Sequence, residues 1–286
     1  MAQSSYNIKD VYSEFNKIDR EFGVKNDGSE FANALIIKYC PYIDVAGNIC
    51  FSYLQSARSG VINLLENLEK YNLDYDKLAE YAILFLSYKL KQNPSYSGTK
   101  LNDFYTNHIV NNKDYNKKIN GNDGMTFKEI INRKKDLMNM NIKERSKFND
   151  PFSILVLLYN EIKNNKLDCT KYSSYPENFA NKFKELNEDS NINGNTSYRK
   201  LLSTLSDDYN NLKNKYGNDK SCNFPPLPEI KTPPSKLIPV LSTFSVIPVF
   251  LGIAYKYSLF GVDKIFQRQY LRKKLKKVKK KLKLNI

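Results

Sequence analysis

The sequence has no tryptophan and a single histidine, His108, among 286 residues. One histidine excludes multi-histidine metal centres and thins the list of acid–base enzymes. The cysteines are Cys40, Cys50, Cys169 and Cys222; none forms a C-x-x-C pair and none is near His108 along the chain, which argues against a zinc site. There is no G-x-S-x-G, no Walker loop and no Rossmann fingerprint. The sequence therefore offers no catalytic residue, no cofactor and no metal ligand set, and an enzyme is not expected. Alternating apolar–polar stretches and Asn-Gly hairpins between strand-like runs are also lacking, so β-structure has no signal. Acidic residues are the minority charge, 30 against 45 Lys and Arg.

What is present is a helical pattern. Hydrophobic residues make up 41% and charged residues 26%, enough for a folded core. From about Ser29 to Gly217 the periodicity reads as helix. Ser29 is a candidate N-cap for FANALIIKYC, and Asp74 for YDKLAEYAILFLSYKL. In the latter, Leu78, Ala82 and Phe85 form one stripe while Tyr81, Leu84 and Tyr88 add a second. A helix apolar on most faces belongs at the centre of a bundle. Phe152–Ile162 reads the same way, with Pro151 suited to a first turn. More amphipathic helices are expected over about 126–140, 176–189 and 197–215. The 21 tyrosines and 16 phenylalanines stand in for tryptophan as core aromatics. The fold class expected is all-α.

Basic charge is unevenly placed. Residues 256–286 hold 12 Lys or Arg and one acid, Asp263, leaving the preceding 255 residues with 33 bases and 29 acids. The high charge thus describes a tail rather than a nucleic-acid-binding body, so no nucleic-acid partner is expected. Of the 45 bases 38 are Lys, and Asn adds 35 residues; both use A/T-rich codons.

Five prolines cluster in Pro225–Pro234, which predicts an extended, polyproline-like spacer. Next comes LIPVLSTFSVIPVFLGIAY, from Leu237 to Tyr255, uncharged and bracketed by Lys236 and Lys256. As a helix it would span roughly 28 Å, near the thickness of a hydrocarbon core. Eleven of its residues are Leu, Ile, Val or Phe, worth roughly 3–6 kcal/mol toward insertion. The division predicted is 1–222 helical ectodomain, 223–236 spacer, 237–255 transmembrane helix and 256–286 basic cytoplasmic tail. Positive charge beside the span places the tail in the cytosol and the body outside. No apolar stretch follows Met1 in MAQSSYNIKD, so a classical signal peptide is not expected and the span would act as an internal signal anchor. In the tail, Leu271, Leu275, Val278 and Leu282 give one apolar stripe. Arg268, Arg272, Lys273, Lys274, Lys276, Lys277, Lys279, Lys280 and Lys281 are candidate contacts to an anionic leaflet, at roughly 1 kcal/mol each near the surface. A plain stop-transfer anchor is the alternative.

An outward-facing body favours two disulfides. Three pairings are possible. Cys40–Cys50 with Cys169–Cys222 closes the shorter loops, and chain entropy gives these roughly 3 and 4 kcal/mol. Four free, buried cysteines are the alternative. His108, in the polar stretch DFYTNHIVNN, is expected to face solvent. The sequon Asn195-Thr196-Ser197 carries little weight in so Asn-rich a chain.

The tail sequence KYSLFGVDKIFQRQYLRKKLKKVKKK (Lys256–Lys281), directly after a candidate span, resembles the C-terminal signature of the Plasmodium interspersed repeat (PIR) proteins, the Cir/Yir/Bir group of rodent malaria parasites. LAEYAILFLSYKL, LNDFYTNHI, KKDLMNMNIKERSKF and YRKLLSTLSDDYNNLKNKY extend the resemblance over most of the chain. Departures are the lack of an early cysteine around Val11-Tyr12, Phe85 where tryptophan is frequent, and Val262-Asp263 after the Phe-Gly. The resemblance implies a membrane-anchored variant antigen of the infected red cell, non-catalytic, engaged in immune evasion and host-receptor contact. An intracellular, membrane-tethered adaptor acting through its basic tail is the competing function.

Overall fold

The structure is a computed structural model and describes residues 7–44, 47–121, 124–163, 166–217, 222–232 and 264–281. The chain divides into two units, 1–232 and 233–286.

The first unit is built on α1 (Ile8–Asp19), α3 (Tyr53–Glu69), α4 (Tyr75–Gln92), α7 (Ile142–Asn160) and α10 (Thr196–Tyr216). With them run α2 (Ala34–Ile37), α5 (Leu101–Phe104), α6 (Phe127–Asn132), α8 (Tyr175–Glu188) and α9 (Ser190–Gly194). Side-chain caps set most starts. Asn7, Ser52, Asp74 and Asn195 each accept a first-turn amide, and Thr126–Glu129 and Asn141–Glu144 form complete capping boxes.

Helix α4 is the central element. Every residue from Leu78 to Ser87 is buried, as its double stripe predicts, and it packs against α3, α6 and α7. Aromatic rings replace tryptophan at the centre. Phe15 of α1 meets Tyr81 and Phe85 of α4 and Phe152 of α7, and Tyr12 stacks on Tyr159 at 4.2 Å.

The sequence reading departs from the structure in five places. First, the unit is mostly helical, as the all-α reading expects, but it also carries short β-structure that the sequence does not signal. Three antiparallel two-stranded hairpins interrupt it: β1–β2 (Phe22–Val24 with Glu30–Ala32), β3–β4 (Tyr42–Asp44 with Gly47–Ile49) and β5–β6 (Ile162–Lys163 with Lys166–Leu167). Strands of two or three residues are too short to show alternation. Gly47, the first residue of β4, has φ +116°, a conformation that suits glycine.

Second, Ser29 caps no helix. It sits in the β1–β2 turn on Asp27, and Asn33 precedes the short α2. Third, Pro151 lies inside α7, because the Asn141–Glu144 box starts that helix well upstream. The proline deletes one backbone bond. Buried Phe148, Phe152 and Leu155 on either side hold the helix together, and Asn149 donates to Ser87 O of α4 at 3.1 Å. Fourth, 126–140 is two pieces, α6 and a 3-10 turn over Lys135–Asn139. Fifth, the amphipathic α1 lies upstream of the region read as helical, and carries buried Val11, Tyr12, Phe15 and Ile18.

The proline segment also differs from a free spacer. Residues 222–232 lie against the body without regular secondary structure. Phe224 is buried against Tyr209, and Leu227 and Ile230 pack on the core. Tyr209 donates its hydroxyl to Pro225 O at 2.9 Å. Buried Asn187 donates to Glu229 O at 2.8 Å and accepts the Lys231 amide at 2.9 Å. The last of the prolines, Pro233 and Pro234, lie outside the described residues.

Candidate interaction surface

Each cysteine pair ties a loop to a helical frame. Cys40 and Cys50 bridge the base of the β3–β4 hairpin, with Cα atoms 4.9 Å apart. Cys169 and Cys222, with Cα atoms 5.2 Å apart, fasten the start of the 222–232 strap beside β6. This is the pairing that closes the shorter loops. Directly after Cys50, Phe51 is 66% exposed, an apolar ring presented by the bridged hairpin. The sequence gives no sign of its exposure, because an isolated phenylalanine reads as core.

His108 is half-buried rather than solvent-facing. It lies in a π-helical turn, Tyr105–Ile109, with its ring 4.9 Å from Phe104. Burial, then the charge of Arg58, holds its pKa below the ordinary histidine value, which favours the neutral ring. All four cysteines are in disulfides, so His108 has no thiol to activate.

A cleft of about 640 Å³ opens where α4, α6 and α10 meet. Its floor is a chain of alternating charge. Arg133 pairs with Asp76, Lys134 reaches Asp76 at 3.3 Å and Glu80 at 2.7 Å, Thr204 donates to Glu80 at 2.6 Å, and Lys77 donates to Thr204 at 2.9 Å. Burial alone would raise the Asp76 carboxyl, but Arg133 and Lys134 hold it below its usual value. Burial pulls the Lys134 ammonium down, and Glu80 and Asp76 more than offset that. Both carboxylates are engaged by cations of a neighbouring element, so the chain ties the helices together. No group of three or more metal-capable side chains occurs among the described residues.

Deeper still, Asp208 of α10 accepts hydroxyl protons from Tyr12 at 2.9 Å and Tyr81 at 3.0 Å, and Tyr159 donates to its backbone carbonyl at 2.7 Å. Burial raises its carboxyl to about 6, against the opposing influence of Lys77 and the tyrosine hydroxyls. Lys89 is also a buried cation. It donates to Asp19 Oδ1 at 2.7 Å and to Phe22 O at 2.8 Å, and burial lowers its pKa while Asp19 opposes.

The second unit has one described element, α11 (264–281). All eighteen of its residues are exposed. Arg268, Arg272, Lys273, Lys274, Lys276, Lys277, Lys279, Lys280 and Lys281 all fall on this helix, with Lys264 as a tenth base and no acid. Ile265, Phe266, Tyr270, Leu271, Leu275 and Val278 are exposed apolar side chains on the same helix. Leu282 of the expected stripe lies outside the described residues, as do Leu237, Tyr255 and everything between them. Among the described residues no helix is long and apolar enough to cross a membrane. Phe266 and Tyr270 form an i, i+4 aromatic pair just before the lysine-dense run.

Comparison with curated proteins returns no match. Among solved structures, a Plasmodium PIR protein ectodomain is similar with a TM-score of 0.57 and 33% identity, over 78% of this chain and 99% of that one. The sequence matches the family described as Plasmodium variant antigen protein Cir/Yir/Bir over residues 12–256, so the match runs beyond the helical body through the apolar segment. With that family match over most of its length and a helical body shaped like a PIR ectodomain, the chain belongs to the Cir/Yir/Bir variant antigens of Plasmodium.

Proposed function

We propose that the chain is a non-catalytic surface antigen of the infected red cell. Leu237–Tyr255 is its single span, the helical body lies outside, and the basic tail lies in the cytosol against an anionic leaflet. The body is the part that meets a host receptor and the immune system. The observation that carries this reading is the charge step: 12 bases and one acid after residue 255, against 33 bases and 29 acids before it. Family membership and two disulfides in the body support the same orientation.

Protease shaving of intact infected red cells tests it. The tail should survive on a shortened fragment while the body is lost. An intact body, cut only after permeabilisation, would favour a tethered intracellular adaptor that acts through α11. A tail degraded from outside would overturn the topology.

A further inference from the structure

Helix α11 is not amphipathic in the ordinary sense. Leu271, Leu275 and Val278 fall within an arc of about 60° on the helix wheel, whereas Phe266 and Tyr270 lie about 130° round from the centre of that arc. Every one of these side chains is more than half exposed. A helix lying flat on a surface would immerse one set and leave the other in water.

The polarity also changes along the axis. Residues 264–271 carry two bases, Lys264 and Arg268, and four large apolar side chains, Ile265, Phe266, Tyr270 and Leu271. Residues 272–281 carry eight bases and two apolar side chains, Leu275 and Val278. The first two turns are thus apolar on several faces, and the last turns are apolar on one narrow stripe.

From these two asymmetries we infer that α11 enters an anionic lipid leaflet obliquely. Its first two turns are immersed among headgroups and upper acyl chains, and its last turns lie at the lipid surface. Phe266 and Tyr270 take the depth that aromatic rings favour at a membrane interface. The eight bases of the later turns meet lipid phosphates and carboxylates, while Leu275 and Val278 touch the interface only shallowly. Ten bases with no acid select an anionic lipid surface over a neutral one as the occupant. This rests on the proposed cytosolic tail behind a span at Leu237–Tyr255, and it adds a depth and a direction for each side chain.

The absence of tryptophan makes the test clean, because any single tryptophan introduced is the only one. The full chain is reconstituted in vesicles of phosphatidylcholine and phosphatidylserine as four variants: Phe266→Trp, Tyr270→Trp, Leu275→Trp and Val278→Trp. These positions are exposed, so the substitutions leave packing untouched. Quenching by brominated lipid and by aqueous iodide reads the depth of each.

The expected result is blue-shifted emission, strong brominated-lipid quenching and near-complete loss of iodide quenching at 266 and 270, with progressively more iodide quenching at 275 and 278. Equal depth at 275 and 278 with a water-exposed 266 means a flat helix and overturns the inference. Iodide access at all four positions overturns it too. Emission that follows the protein-to-lipid ratio and ignores phosphatidylserine identifies a second copy as the occupant, and a shift seen only on adding cytosol identifies a protein; either sinks the proposal. Carbonate extraction of the same vesicles reports separately on the span. A chain that is washed off refutes the anchored reading, whereas a retained chain with the wrong tryptophan depths refutes only the oblique helix.

Discussion

Tyr81 and Tyr270 carry the same phenol into opposite surroundings. Tyr81 is fully buried and donates its hydroxyl to Asp208, while Tyr270 is 64% exposed with the ammonium of Lys274 lying 5.6 Å from its ring centroid. The lysines divide in the same way. Lys134 is buried between Glu80 and Asp76, and Lys89 is buried on Asp19, whereas the lysines of α11 stand in solvent. The body uses aromatic and charged groups to join its helices to one another. Among the described residues, the apolar and basic side chains of the tail helix are exposed rather than packed between helices. Residue type alone therefore says little about role in this chain; partner geometry decides it.

The sharpest way to break that contrast is to remove one ring from each region. Phe15→Ala deletes a buried ring packed on Tyr81, Phe85 and Phe152 and should cost about 4 kcal/mol of stability, whereas the equivalent Phe266→Ala should stay within about 0.5 kcal/mol. Denaturant unfolding followed by circular dichroism checks both. Comparable losses at the two positions would mean that α11 packs as core.

Charge gives the next effect. Lys134→Ala strands the carboxylate of buried Glu80 without its cation and should cost about 3 kcal/mol, while Lys274→Ala on the tail helix should cost about nothing. The same unfolding measurement decides it, and an undiminished midpoint for Lys134→Ala would show the cleft chain to be a surface network.

The smallest expected effect is a pH dependence confined to the body. The Asp208 carboxyl titrates at about 6 in the folded protein, above the 3.8 of an ordinary Asp. A raised carboxyl favours the protonated fold, so its contribution is fully present below pH 4 and is lost as pH rises through 6. The loss is complete by neutral pH. Asp208→Asn should remove this slope. A stability profile of Asp208→Asn that parallels the parent between pH 4 and 7 would assign the slope to other groups.

Much of the helical frame was legible in the sequence because long helices leave long signals. The double stripe of Leu78–Leu90 put α4 at the centre, Asp74 marked its start, and α8 and α10 fall within a residue or two of their expected bounds. Loop length alone favoured the two cysteine pairs that form. Illegible features were short or depended on distant partners. Hairpins of two or three paired residues carry no periodicity. Pro151 looks like a helix start until the capping box at Asn141–Glu144 is weighed against it, and that N-x-x-E signal was present to be read. The strap is a different case. Its core-facing residues, Phe224, Leu227 and Ile230, are sparse, and its hold depends on Asn187 some forty positions away. For the candidate surface, the basic residues of α11 were legible as a charge run, but the exposure of Phe51, Phe266 and Tyr270 was not, since aromatic residues are buried by default in a chain this rich in them.

The grip of Asn187 on the strap has a genetic consequence. Its amide reads only a carbonyl at Glu229 and an N–H at Lys231, groups that nearly every amino acid supplies. Codons 229 and 231 are therefore free to drift through charge, size and polarity without loosening the strap. The one substitution at 231 that deletes the N–H is proline. A contact made to backbone alone leaves the exposed side chains of Glu229 and Lys231 without any part in holding the strap.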